Sequence, residues 1–200
     1  MTMVAVSAFL VVAPRLTRKA CAQGSDQAIS FVQSTTDKLV SIVNSAESAK
    51  EKRRRLQEII DSSVDVDDIA RFCLGRFWHL ATPDQQKQYL ALFRKLMVIK
   101  VAFHLGEYQG VRITMGLSRK SADTDIVITL VERSETPISR VDWVVSTSTG
   151  SPKIVDVLAE GTSLRLTQSA EFASYLSRHL FNMDDLIEGM GQLVSHNIPG

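Results

Sequence analysis

The chain is poor in the residue types that define several classes of protein. Two cysteines among 200 residues, Cys21 and Cys73, supply neither a disulfide framework nor a cysteine-built metal site. The longest apolar run, Val4 to Ala13, is too short to span a bilayer. Low-complexity tracts and internal repeats are also missing. A composition of 44% hydrophobic and 22% charged residues is instead typical of a globular protein.

The first 22 residues predict an export signal. The run from Val4 to Ala13 has the length of the hydrophobic part of a signal peptide, and Ala20-Cys21-Ala22 is a small-x-small cleavage site. The positive charges of Arg15, Arg18 and Lys19 follow this run instead of preceding it. We predict a signal peptide over residues 1–22 and a periplasmic location. A disordered cytosolic N-terminus is the alternative.

The net charge argues against a nucleic-acid partner. The full chain has a formal charge of +1, and residues 1–22 contain three positive charges and no acid, so their removal leaves −2. Neutralising phosphates requires a basic surface. We therefore predict no nucleic-acid binding.

Helical periodicity and capping signals cover the N-terminal part, about residues 26–108. An apolar stripe predicts a first helix from about Asp26 to Asn44. Ser48 and Glu51 have capping-box spacing and begin a second helix. The charged run from Lys50 to Arg55 in this helix is interpreted as a solvent-exposed face.

Two further helices are predicted before the sheet. Asp65 and Asp67 can accept from free amide groups at the start of a third helix, and Gly75 suits its C-terminal turn. The sequence Thr82-Pro83-Asp84-Gln85 then begins the longest helix, which we expect to reach about Tyr108. Two adjacent apolar stripes on this helix exceed what one core contact needs, which indicates burial on two sides.

From residue 111 the periodicity changes to alternation. Four strands are predicted, over Val111–Leu117, Asp125–Val131, Ser139–Thr147 and Lys153–Ala159. The short breaks between them favour an antiparallel meander over about 111–159. A helical period returns over about 167–195. The sequence therefore predicts one α+β domain over residues 23–200, with N-terminal helices, a four-stranded antiparallel sheet, C-terminal helices and a hydrophobic cavity between helices and sheet.

Motifs that carry catalysis or metal binding are missing from the sequence. It has no G-x-S-x-G, H-E-x-x-H, glycine-rich phosphate loop or C-x-x-C. The histidines are scattered and have no ligand-like spacing, and Cys73 is expected to be an inert buried thiol. We predict no catalytic residue, no cofactor and no metal. The weighed alternative is a small α+β enzyme with Asp142, Asp156 or His104 as acid or base.

Two groups of segments resemble a known family. The first is Asp65-Val66-Asp67-Asp68-Ile69-Ala70-Arg71 with Leu74-Gly75-Arg76-Phe77-Trp78 and Ala81-Thr82-Pro83-Asp84-Gln85-Gln86. The second is Lys153-Ile154-Val155-Asp156-Val157, Glu160-Gly161-Thr162-Ser163-Leu164 and Ala170-Glu171-Phe172-Ala173-Ser174. Together they resemble the toluene-tolerance family, which includes the periplasmic phospholipid-binding component of the Mla lipid transport system.

The resemblance implies a soluble carrier that takes lipid acyl chains into a hydrophobic pocket and moves the lipid between membranes. The implied partners are a phospholipid, an inner-membrane ABC transporter complex and an outer-membrane lipoprotein complex. Thr167-Gln168-Ser169 lacks the family's usual arginine, and His179-Leu180-Phe181 replaces a more glycine-rich turn. These departures leave a hopanoid-type lipid, and the family's hopanoid-associated branch, as an option.

Aliphatic and thioether side chains suit a pocket that must also release its lipid. The candidate lipid-binding residues are Leu92, Phe93, Leu96, Met97, Ile113, Met115, Ile128, Leu130, Trp143 and Val145. Ordinary core packing is the competing role for each of them. A further alternative is a lipid-free adaptor of a membrane transport complex, which would dock through the charged helix from Lys50 to Glu58.

Overall fold

The structure of the protein, a computed structural model, describes residues 18–105, 110–133 and 136–197. The elements in chain order are α1 (Arg18–Asn44), α2 (Ala49–Ser63), α3 (Val66–Leu74), a 3₁₀ helix (Gly75–His79), α4 (Pro83–Leu105), β1 (Arg112–Ser121), β2 (Thr124–Glu132), β3 (Ser139–Ser146), β4 (Lys153–Ala159), β5 (Thr162–Ser163), α5 (Leu164–Arg178) and α6 (Met183–Asn197). Most of the predicted signal peptide, residues 1–17, and the predicted end of the longest helix, residues 106–109, lie outside the described residues.

The capping signals act at the predicted positions. The Ser48 hydroxyl accepts the N–H of Glu51 at 3.2 Å at the start of α2. Thr82 and Gln85 form a reciprocal capping box, in which each side chain accepts the other's backbone N–H, at 3.2 and 2.9 Å. Asp65 caps α3 through one carboxylate oxygen, whereas Asp67, also predicted to accept an amide N–H, pairs with Arg94 at 2.9 Å. The capping bonds satisfy N–H groups that a helix start leaves without partners.

A tight joint connects α3 to α4. Gly75 ends α3 with φ +56° and ψ −130°, a conformation that side chains with a Cβ rarely adopt. The 3₁₀ helix follows, and the Gln86 amide donates to the Trp78 carbonyl at 2.8 Å. The Tyr89 hydroxyl donates to the Ala70 carbonyl at 2.8 Å across the joint. The first family motif is therefore a structural connection between two helices.

The sheet is an antiparallel meander in the order β1-β2-β3-β4-β5. The predicted α+β class and element order are confirmed, but the sheet has five strands instead of four. The unpredicted strand, β5, is two residues long, too short for alternation to be visible in the sequence. Glu160 and Gly161, with φ of 48° and 80°, form the two-residue turn that leads into it.

The buried residues form two separate clusters. The larger one joins α2, α3, α4, α5 and α6 around Tyr89, Leu56, Leu74 and Leu176. In the smaller one, α1 lies on β1 and β2, and Ala28 and Val32 contact Val127 and Val145. The first helix of the chain therefore covers one face of the sheet.

The C-terminal helices pair through a strained turn. α6 packs mainly against α4, and the turn between α5 and α6 contains Leu180 and Phe181 with φ of 52° and 61°. The Phe181 ring stacks on Phe77 at 5.8 Å between centroids. Among the described residues, no helix is long and apolar enough to cross a membrane.

Candidate functional site

A pocket of about 320 Å³ opens among α1, α2, α4 and the end of α6. Its volume lies at the lower end of the range for ligand pockets, roughly 300–1,000 Å³. Most of its lining is apolar, and two of its side chains are cationic. We call it the helical pocket, and it is lined by Ile42, Val43, Ala49, Lys52, Arg53, Leu56, Ile99, Ala102, Phe103 and Asn197.

The inward stripe of α2 supplies four of these residues. Ala49, Lys52, Arg53 and Leu56 are spaced by three and four residues, so they share one side of the helix. The same stripe continues into the buried part of α2, from Leu56 to Ser63. Lys52 and Arg53 therefore occupy positions where an amphipathic helix normally carries apolar side chains.

The cations of α2 divide into paired and unpaired ones. Arg54 forms ion pairs with Glu51 and Glu58 on the outward side of the helix. Arg55 pairs with Glu47 at 3.0 Å. The interpretation of the run from Lys50 to Arg55 as a solvent-exposed face therefore holds for Arg54. Lys52 and Arg53, in the same run, line the helical pocket.

Lys52 and Arg53 have no acidic partner among the described residues. The Lys52 ammonium donates to the Val43 carbonyl at 3.1 Å. The Arg53 Nε is buried and has no hydrogen-bond partner in the described part of the chain. A buried donor without a partner costs about 1–3 kcal/mol. The helical pocket thus places two cations without an acidic partner in the described part of the chain beside an apolar surface.

Phe103 forms an exposed apolar side of the helical pocket. Its side chain is 71% exposed, although it lines the pocket near the end of α4. Ile99 and Ala102, on the same helix, are only partly exposed. Covering so exposed a phenylalanine with a ligand is favourable by about 25 cal/mol for each Å² of apolar surface removed from water.

A second depression is less suited to apolar ligands. It is an open groove of about 570 Å³ along the polar side of α1. Seven of its lining residues are polar or charged: Ser30, Gln33, Ser34, Asp37, Lys38, Ser41 and Arg55; Ile29 completes it. Although this groove is larger, Ile29 is its one lining residue with an apolar side chain.

The predicted lipid-binding residues lie in different parts of the structure. Leu92, Phe93, Leu96 and Met97 belong to the helical cluster. Met115, Trp143 and Val145 belong to the cluster between α1 and the sheet, where the Trp143 indole donates to Thr129 at 2.9 Å. A common lining made from all ten residues, and a cavity between α4 and the sheet, stay predictions.

The three remaining predicted residues, Ile113, Ile128 and Leu130, lie on β1 and β2 and belong to neither cluster. Ile113 alternates with Met115, so both lie on the face of β1 that α1 covers. Ile128 and Leu130 lie on the opposite face from Val127, and Leu130 is 42% exposed.

The acids considered for catalysis have structural partners. Asp142 forms a two-point ion pair with Arg140, both bonds at 2.7 Å. Asp156 accepts from the Ser163 hydroxyl at 2.6 Å and from the Arg165 N–H at 3.2 Å. The second family motif thus anchors the start of α5 to β4. His104 is exposed at the end of α4, with its ring edge-on to Phe103.

The strongest pKa shifts belong to core residues of the helical cluster. Burial raises the pKa of Cys73 to about 12. Burial also raises the pKa of Tyr89, whose hydroxyl donates to a backbone carbonyl. Both groups stay protonated at neutral pH, so Cys73 is the inert buried thiol that the sequence predicts. The described residues contain no cluster of acids, histidines and cysteines that could hold a metal ion.

The fold and the pocket define a class: an α+β protein whose helices surround a small, mostly apolar pocket with two cations that have no acidic partner in the part of the chain that the structure describes. The family model described as MlaC protein matches residues 33–192, and the chain belongs to this family. The fold is similar to that of a phospholipid-binding protein from Ralstonia solanacearum, solved in complex with a phospholipid. The two chains are 20% identical, with a TM-score of 0.73 over 85% of this chain and 98% of the other.

Proposed function

We propose that the protein is a periplasmic lipid carrier that holds the acyl chains of a phospholipid and moves it between membranes. Membership of the MlaC family supports lipid carriage, and the similar fold of a phospholipid-binding protein agrees with it. The observation that carries the proposal to this chain is the helical pocket, in which apolar walls and two cations match an amphipathic ligand. The partners would be an inner-membrane ABC transporter complex and an outer-membrane lipoprotein complex.

A carrier must offset the cost of exposing lipid tails to water. That cost is about 0.8 kcal/mol for each methylene group. Walls built from Ile42, Leu56, Ile99 and Phe103 replace water by apolar contacts. Because these contacts are not directional, they bind hydrocarbon without fixing one geometry, which permits release to a membrane.

The direct test is to extract the lipid from protein purified from its own host and to identify it by mass spectrometry. We expect about one lipid per protein, and its head group will distinguish a phospholipid from a hopanoid-type lipid. Protein that is repeatedly empty when prepared in this way contradicts the proposal and favours a lipid-free adaptor.

A matched pair of variants locates the cargo. Ala102→Trp fills the helical pocket, whereas Ala91→Trp adds the same bulk at an exposed position of α4. We expect Ala102→Trp to reduce the co-purified lipid to less than half and Ala91→Trp to leave it unchanged. Thermal unfolding of both variants controls for loss of fold. Equal lipid contents in the two variants would remove the helical pocket from the proposal.

A further inference from the structure

Lys52 and Arg53, the two inward cations of α2, distinguish the helical pocket from an ordinary apolar core. Arg54 and Arg55 pair with acids near the helix, yet Lys52 and Arg53 have no acidic partner in the described ranges. The Arg53 Nε is buried without a partner, and Lys52 uses one described hydrogen bond, to a carbonyl oxygen. A cationic pair in apolar surroundings is suited to a negatively charged group that arrives attached to hydrocarbon.

We propose that Arg53, assisted by Lys52, binds the phosphate diester of the lipid head group while the acyl chains contact Ile99, Ala102 and Phe103. This inference rests on the proposed function and adds the chemistry that selects the ligand. The guanidinium donates to phosphate oxygens through its terminal nitrogens, Nη1 and Nη2, which have no hydrogen-bond partner among the described residues. A neutral lipid with the same acyl chains leaves the guanidinium without an anionic partner.

The test compares two lipids that differ only in the phosphate-bearing head group. Delipidated full-length protein is titrated with dipalmitoylphosphatidylglycerol and with dipalmitoylglycerol, by displacement of a fluorescent acyl probe. We expect the wild-type chain to bind the phospholipid at least about tenfold more tightly, as one charge-assisted hydrogen bond in a partly buried site supplies.

Variants at position 53 assign this preference to a side chain. Arg53→Gln is expected to reduce the preference to about twofold, because it weakens binding of the phospholipid far more than binding of dipalmitoylglycerol. Arg53→Lys keeps the charge and is expected to retain an intermediate preference. Lys50→Gln removes a cation from an exposed position of the same helix and is the matched control, expected to behave like the wild type. Thermal unfolding checks that each variant is folded.

Two ligand controls distinguish the source of the negative charge. Inorganic phosphate alone is expected not to displace the probe at millimolar concentration; if it does so in the wild type and not in Arg53→Gln, the site binds free phosphate and the inference is overturned. Palmitate tests whether a carboxylate is bound as well as a phosphate diester. We expect it to bind less tightly than the phospholipid, and equal or tighter binding overturns the assignment to phosphate.

Failure of this inference is separate from failure of the proposed function. If Arg53→Gln retains the full preference, Arg53 does not bind the head group, while lipid carriage stands on the co-purified lipid. If the wild-type chain binds neither lipid and carries none from its host, lipid carriage itself is wrong.

Discussion

Leu180 and Phe181 have left-handed backbone conformations in the turn between α5 and α6, with φ of 52° and 61°. The left-handed conformation costs a residue with a Cβ about 1–2 kcal/mol. Phe181 recovers part of this cost by stacking on Phe77, but Leu180 is 90% exposed and has little packing to lose. The strain at Leu180 is therefore uncompensated.

Leu180→Gly should raise the free energy of unfolding by about 0.5–1 kcal/mol, since relief of the strain exceeds the extra chain entropy of glycine. Urea denaturation measures the change. The control is Leu166→Gly, an exposed leucine inside α5, which should destabilise by about 1 kcal/mol. Destabilisation by both variants would show that Leu180 has contacts that stabilise the turn.

Burial of Cys73 should make the free energy of unfolding fall as the pH rises above about 9. Burial raises its pKa from 9.0 to about 12, so the folded protein keeps a proton that the unfolded chain releases. Its contribution is fully present below pH 9 and is lost as the pH rises toward 12, at about 1.4 kcal/mol per pH unit.

This dependence can be isolated by mutation. In a Cys21→Ser background, urea denaturation between pH 8 and 11 should give a steep loss of stability above pH 9. The additional change Cys73→Ala should flatten the slope by about 1.4 kcal/mol per pH unit, although Tyr89, whose pKa is also raised, leaves a remaining slope. Identical slopes with and without Cys73 would contradict its burial.

At the scale of elements, the carboxylate of Asp156 connects the start of α5 to the sheet through hydrogen bonds. Asp156 is buried on β4, and its oxygens accept from the Ser163 hydroxyl and from the backbone N–H groups of Val157 and Arg165. Ser163 in turn caps α5 by accepting the N–H of Leu166 at 3.1 Å. The strand, the turn and the helix start therefore share one network of hydrogen bonds.

Asp156→Ala should lower the free energy of unfolding by about 2–4 kcal/mol, because it removes a buried acceptor from the Ser163 hydroxyl and from two partly buried backbone N–H groups. Thermal and urea denaturation measure the loss. Asp123→Ala, at an exposed position between β1 and β2, is the control and should change stability by less than about 0.5 kcal/mol. A change as small in Asp156→Ala would show that α5 is held mainly by apolar contacts.

Most of the fold was predictable because its signals are local. The capping pairs Ser48–Glu51 and Thr82–Gln85, and the glycine at position 75, mark helix ends within a few residues of sequence. Alternation placed four strands. By contrast, the two inward cations of α2 went unrecognised within the charged run, although the spacing of Ala49, Lys52, Arg53 and Leu56 was a usable signal.

The grouping of apolar residues could not be predicted from periodicity, because it depends on tertiary packing. The two stripes of α4 indicate burial on two sides, but they do not say which elements supply the neighbours. In the structure α4 packs mainly against α2, α3 and α6, and α1 covers the sheet. Leu92 and Met115, both predicted to face a lipid, therefore lie in different clusters.

At the scale of the whole molecule, the two phenylalanines of α4 should have different roles, one in stability and the other in binding. Phe93 is 6% exposed in the helical cluster, where it contacts the rings of Tyr89 and Phe172, whereas Phe103 is 71% exposed at the helical pocket. Phe93→Ala should cost about 3–5 kcal/mol of unfolding free energy. Phe103→Ala should change stability by less than about 1 kcal/mol and yet weaken binding of an acyl probe several-fold.

Urea denaturation and probe titration on the same preparations distinguish these effects. The prediction requires a large loss of stability only in Phe93→Ala, because this ring packs in the core. It also requires a loss of probe affinity in Phe103→Ala at nearly unchanged stability, because this ring would contact the ligand. If Phe103→Ala leaves probe affinity unchanged while the wild-type chain binds lipid, the acyl chains lie elsewhere. The ten residues predicted from the sequence, beginning with Leu92 and Met115, would then be the next positions to substitute.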